Sequence, residues 1–280
     1  MMSAVKGVGG LMSLYRTTLA LMVTALFCLG PAGAQERTIR VGVPAGPLVQ
    51  LVQALAPLFQ AQTGVAVTAV EMKLDAPISS SGADAALLPS RVLERLQATE
   101  RGPSRTVFFG DAVLVGSRAG KARVGGLKDI KTAFRWIASA RGLYMASSPA
   151  LGTRELELAL WDSIGINVRT RSTWYIGASG DDASTLRQAG SMGAYVLVER
   201  MTWAAQSNKQ GLEILVAGDP ALRTSYTSYL VQAAPKEASA WHEWLTSEPA
   251  QAIIADFRLD GVQVFTPASG RDGEGPPAKT

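Results

Sequence analysis

The sequence predicts an α/β protein in which parallel strands are joined through helices. Three observations carry that class. Strand-like runs alternate with stretches of helical spacing in the order strand, Gly-containing loop, helix, strand, which is the connection a parallel sheet requires. The chain has 280 residues, 47% of them hydrophobic and 18% charged, with 27 basic against 23 acidic side chains. That composition supplies a sizeable core and carries too little net charge for a disordered chain. A single long apolar run, residues 17–29, excludes a polytopic membrane protein.

That run opens the chain's organisation. Lys6 and Arg16 precede it, a Gly30-Pro31 break follows, and Ala32-Gly33-Ala34 completes the pattern of a secretory signal peptide over residues 1–34, with the start at Met1 or Met12. The expected location is the periplasm. Cys28, the one cysteine, falls inside this segment, so the remaining chain is expected to hold no disulfide and no thiolate. Taking the 2 basic residues of the segment from 27 leaves 25 against 23 acids, which is no nucleic-acid footprint.

The elements then follow in order. Arg37 to Val43 alternates apolar and polar residues and reads as a strand. Pro44-Ala45-Gly46-Pro47 breaks the chain, and Leu48, Leu51, Val52, Leu55, Leu58 and Phe59 recur at helical spacing up to a Gly64 stop. Residues 65–70 are a β-branched strand. Strands are expected at 83–88, 106–115, 142–145, 194–198, 212–216 and 226–233, and helices at 90–98, 126–140, 152–164 and 184–189. A helical pair over 236–257 is interrupted at Ser247-Glu248-Pro249, and 269–280 reads as a disordered polar tail. Residues 20–50 apart show no repeat, and no interdomain linker stands out, so any second lobe must be reached by strands that cross.

Catalytic signals are weak. His242 is the one histidine; it lies between Trp241 and Trp244 at the expected partly exposed border of an apolar stripe. The chain has no Gly-x-Ser-x-Gly elbow and no Cys/His metal pattern. No enzyme activity, metal or cofactor is expected. Trp161, Trp174, Trp203, Trp241 and Trp244 read as packing residues.

The order of segments resembles the periplasmic solute-binding proteins of ABC transporters, and within them the tungstate-binding family. Residues 152–161, Gly-Thr-Arg-Glu-Leu-Glu-Leu-Ala-Leu-Trp, are similar to that family's Ser-Gly-Thr-His-x-x-Glu-x-x-Leu-Trp helix start. Trp174-Tyr175, residues 193–200, residues 215–220, Trp244-Leu245-Thr246-Ser247, residues 253–257, Asp260-Gly261 and Phe265-Thr266-Pro267 follow in the family's order. The likeness runs from about residue 38 to 268.

The resemblance implies a type II-like periplasmic-binding fold: two lobes, each a mixed sheet flanked by helices, with a ligand cleft between them. Lobe I would comprise 37–113 and 222–268, and lobe II 114–221. It further implies a monomer that captures a tungstate- or molybdate-like oxyanion and delivers it to an ABC permease in the inner membrane, with no role for nucleic acid.

The sequence departs from the family where the ligand is held. Residues 42–47 carry no hydroxyl where the family has a Thr/Ser run, and Ser147 stands in place of its Arg. Each lost charge-assisted bond would cost about 1.5–3 kcal/mol. The remaining expected donors are Ser147, Ser148, Gly152 and Thr153 at a strand-to-helix turn, the backbone at Ala45 and Gly46, and Ser80 within a Ser/Gly run. Arg154 reads as a solvated first-turn side chain, and Asp181 and Asp182, with Ser184 and Thr185, as the capped start of a short helix. The losses leave a second expectation open: a binding-protein fold repurposed as a sensor or interaction module with a different small ligand or none.

Overall fold

The computed structural model describes residues 37–96, 102–148, 152–170 and 172–268. The expected signal segment with its two candidate starts, and the polar tail, lie outside the described residues.

The first part of the chain builds β1 (Arg37–Val43), α1 (Pro47–Thr63), β2 (Val65–Glu71), β3 (Ala85–Pro89), α2 (Ser90–Leu96) and the long β4 (Ser104–Gly116). Then come α3 (Ile130–Ala140), β5 (Tyr144–Met145), α4 (Thr153–Ser163), β6 (Tyr175–Ile176), α5 (Asp182–Met192), β7 (Tyr195–Glu199), α6 (Arg200–Ala205) and β8 (Glu213–Val216). The chain returns through β9 (Arg223–Leu230), α7 (Lys236–Trp244) and α8 (Glu248–Asp256) to the short strands β10 (Arg258–Leu259), β11 (Val262–Gln263) and β12 (Thr266–Pro267).

Helix α1 shows how the sequence sets these limits. Gly46 at its N-cap has φ 110°, Pro47 takes the first helical position, and Gly64 ends it in the left-handed conformation at φ 70°. Leu48, Leu51, Val52, Leu55 and Phe59 fall on one stripe and are buried.

The strands run in the order β2-β1-β3-β9-β4-β7-β5-β6, with β12 and β8 also on β4. β1 pairs in parallel with β2 and β3, and β5 in parallel with β7 and β6, while β4 and β9 run antiparallel to their neighbours. β4 changes partners along its length. Ser104 to Asp111 faces β9, and Ala112 to Val115 faces β7.

The buried apolar residues follow the same division. One core gathers β1, α1, Phe108, Tyr226, Trp241 and Phe265. Beyond the change of partner, Ala112 and Leu114 enter a second core with Phe134 and Trp161, while Val113 and Val115 enter a third with Val196 and Leu186. That alternation is the two faces of one pleated sheet.

Three expectations are corrected, and one element is added. The helix expected from residue 126 starts at Ile130, because Asp129 Oδ1 accepts from Thr132 N–H at 2.7 Å and Asp219 Oδ2 accepts from Ile130 N–H at 2.8 Å. The strand expected at 226–233 spans Arg223–Leu230. His242 is buried, not at an exposed border, with its Nδ1 2.9 Å from Ser228 Oγ. Helix α6 was not foreseen; it sends Met201 and Ala204 into the first core and Trp203 into the third. Among the described residues, no helix is long and apolar enough to cross a membrane.

Candidate functional site

The carboxyl ends of the parallel strands converge on one cavity of about 860 Å³. The loop after β1 supplies Pro44, Ala45, Gly46 and Pro47; the segment after β2 supplies Met72 to Asp75; the end of α2 adds Arg95 and Leu96. From the other parallel set come Ser148 after β5, Gly180 to Ala183 after β6, and Thr202 after β7. Ligands of open α/β sheets bind at this end, where loops diverge and helix N-termini point inward.

Three of the expected site residues, Ala45, Gly46 and Ser148, line the cavity together. Gly46 has φ 110° and ψ −144°, a backbone conformation that only glycine adopts without strain. The other four lie outside the lining. Ser147 is buried, its N–H donating to Glu157 Oε2 at 2.5 Å and its hydroxyl to the Leu197 carbonyl at 2.7 Å. Thr153 is buried with its hydroxyl 3.5 Å from Glu199 Oε1. Gly152, at φ 74°, lets α4 approach α2: a Cβ there would lie 3.2 Å from Val92 Cγ2. Ser80 is exposed and turns its hydroxyl back to the Pro77 carbonyl at 2.7 Å.

The cations near the site are mostly committed. Arg95 pairs with Glu155 and donates to the Leu74 carbonyl at 3.2 Å. Arg154, expected to be solvated, instead pairs with the buried Glu157 at 2.8 Å and bonds Tyr175 Oη. Arg200 grips Asp111 through two bonds of 2.6 and 2.5 Å. Lys73, on the cavity wall, makes no ion pair among the described residues.

Acids stand on the wall and behind it. Asp181 caps α5, its Oδ1 accepting from Ser184 N–H at 2.7 Å, and those bonds hold its carboxyl below the usual range. Its neighbour Asp182 is 7% exposed and lines the cavity, and its Oδ2 has no hydrogen-bond partner. Burial pushes Asp182 up to about 7, Asp181's charge adds to this, and a hydrogen bond from Ser148 opposes it. Burial likewise pushes Glu199 up to about 8, against hydrogen bonds from Thr224 at 3.0 Å and Tyr226 at 3.2 Å. Sequence reading assigned Asp182 to capping alone. Its neighbour's capping pattern was visible, but nothing in the residue order marks the second acid as buried.

The arrangement suits holding a ligand. The Ser228–His242 pair lies on β9 and α7, away from the cavity lining. Among the described residues, no group of three or more His, Cys, Asp or Glu is placed to hold a metal ion.

Two sets of strands that share β4, with a cavity at the carboxyl ends of their parallel members, match the periplasmic-binding, type II-like fold class. The solved tungstate-binding protein TupA of Desulfovibrio alaskensis G20 superposes with a TM-score of 0.70 at 23% identity, covering 82% of this chain and 98% of that one. A tungstate ABC transporter structure from Geobacter sulfurreducens gives 0.69 at 22% identity, over 79% and 99%. In sequence, a Haloferax volcanii protein named for anion binding in an ABC transporter is 30% identical over 233 residues, 78% of this chain and 68% of that protein. The tungstate-binding protein TupA of Peptoclostridium acidaminophilum is 28% identical over 232 residues, 78% and 80% respectively. No family model matches the chain. The chain belongs to the family of ABC-transporter anion-binding proteins.

Proposed function

We propose that this chain is the substrate-binding component of an ABC importer, capturing a small oxyanion in the cavity and handing it to a permease without transforming it. The observation that carries the reading is the convergence of both sets of parallel strand ends on one cavity lined by Gly46, Ser148 and the start of α5. The names of the relatives point the same way. Residues 37–113 with 222–268 and residues 114–221 would form the two lobes, flexing where β4 changes partners. The signal-like segment 1–34 and the relatives' transport role support a periplasmic location.

Isothermal titration with tungstate, molybdate, sulfate and phosphate tests the ligand class. Saturable heat from at least one is expected, and silence from all four would remove the oxyanion. A second reading has a specific observation behind it. Asp181 and Asp182 on the cavity wall, with the family's Arg absent, favour a repurposed fold that senses a different small molecule. A thermal-shift screen of metabolites decides between them, since a ligand at 100 times its Kd adds about 2.7 kcal/mol.

A further inference from the structure

We infer that residues 121–141 form a basic face that seats this chain on an anionic phospholipid surface, with Trp136 at the headgroup boundary. This goes beyond the oxyanion reading and does not depend on it, since none of these residues lines the cavity.

The near balance of charge along the chain hides a local excess. Residues 117–143 hold seven basic residues and one acid, net +6, against +4 for all 280 residues, so the rest of the chain sums to −2. Arg118 pairs with Glu213. Lys121, Arg123, Lys128, Lys131, Arg135 and Arg141 make no ion pair among the described residues. Five of them are exposed, and Lys131 is half-buried. The acids beside them are engaged elsewhere: Asp129 accepts from Thr132 N–H, and Asp219 from the N–H groups of Ile130 and Ala221.

The fold gathers these side chains on one face. Helix α3 buries Ile130, Ala133, Phe134 and Ile137, so its opposite side carries Lys131, Arg135 and Trp136. Ala122 and Val124 enter the same core as α3. Tyr195 Oη accepts from Ala122 N–H at 2.9 Å, and a Cβ on Gly142 would lie 3.7 Å from Ala122 Cβ. The helix end at Arg141 therefore adjoins the turn that carries Lys121 and Arg123. Lys128 and Lys131 flank the N-cap Asp129, at the positive end of the helix dipole, where cations weaken a helix. Helix stability does not account for them; Arg141 alone sits at the favourable end.

The chemistry of the face selects its partner. A second copy of this chain would set like charge against like. Unpaired cations spread over a turn and a helix answer a diffuse negative potential, which anionic headgroups supply. Trp136 is 47% exposed beside Arg135. An indole presents an apolar ring and one N–H donor, the combination that settles between headgroup and acyl chain. An acidic polypeptide would answer the cations alone.

Vesicles of phosphatidylglycerol or of phosphatidylcholine, with brominated acyl chains that quench tryptophan, test the face on the full chain. Of the six tryptophans Trp136 is the exposed one, and residues 1–34 hold none, so quenching reads this face even when the apolar segment also touches lipid. Quenching is expected on the anionic vesicles, several-fold weaker on the neutral ones, and lost as salt rises from about 0.05 to 0.5 M. Trp136→Phe should remove it. Lys128→Glu combined with Lys131→Glu should lower vesicle affinity by about tenfold or more while holding or raising the urea midpoint, which separates docking from stability. Arg135→Glu, exposed in mid-helix, is the second variant and should lower affinity several-fold. Equal quenching on both vesicle types, quenching that Trp136→Phe keeps, or affinity that the reversed charges keep overturns the lipid face. Silence on both vesicle types overturns it as well, and salt-sensitive binding of polyglutamate in that case would assign the face to an acidic polypeptide.

Discussion

Ser147 and Ser148 are adjacent, yet only one of them faces the cavity. Just past the end of β5 the two side chains find different partners, Ser147 on the Leu197 carbonyl and Ser148 on the Gly180 carbonyl. Ser148 joins the lining, while Ser147 fastens β7 and Glu157 behind it. Counting hydroxyls along the sequence could not separate the two. Gly46 was legible, because a Pro-Ala-Gly-Pro cluster must turn, and turning there requires φ 110°. Gly46→Ala meets no atom within 4 Å, so its cost is purely conformational, about 1–3 kcal/mol, and it should read as a lowered urea midpoint. Burial of acids was not legible at all, and it has a consequence in pH. Glu157 and Asp182 are pushed up to about 7 and Glu199 to about 8. The folded chain keeps these protons after the unfolded chain has released them. Their favourable balance is therefore full below the ordinary carboxylate range and is lost as pH rises through 7 to 8, by up to about 1.4 kcal/mol per pH unit for each group. Melting temperature should fall from pH 5 to pH 8.5, and Glu199→Gln should shallow that fall. A wild-type profile that rises across this window would show the acids ionised and paired.

At the scale of elements, the long periodic segments were readable and the short ones were not. Helix α1 and strand β1 carry enough repeats for a pattern, whereas α6 has six residues and β6 two, too few for either period to show. Helix ends depend on distant residues as well. Asp129 lies one residue before α3 and is a visible cap, but Asp219 reaches Ile130 N–H from 89 positions away. Asp219 also accepts from Ala221 N–H at 2.8 Å, so it holds two backbone donors where Asp129 holds one at 2.7 Å. Asp129→Ala should cost about 1 kcal/mol, and Asp219→Ala more than that, compared by chemical denaturation of both variants under one set of conditions.

For the whole molecule, the strand order that returns β9 between β3 and β4 could be expected only because the segments resembled a known family; no local pattern specifies it. The structure shows what that order demands. β4 passes from one core to the others between Asp111 and Ala112, and helix α6 crosses at the same level. At that point Asp111 and Arg200 form a two-bond ion pair with side chains only 10% and 12% exposed. Two sets of strands that share one strand need a fastening there, because apolar packing is already divided between separate cores. A buried pair can supply register even when its net stabilisation is small, because desolvation offsets most of the attraction. Removing one partner strands the other charge away from water. Arg200→Ala and Asp111→Ala should each cost about 3–5 kcal/mol, while the double variant should cost clearly less than the two together. A double-mutant cycle by equilibrium denaturation measures that coupling. Strict additivity would mean that the pair fastens nothing at the point where β4 passes between the cores.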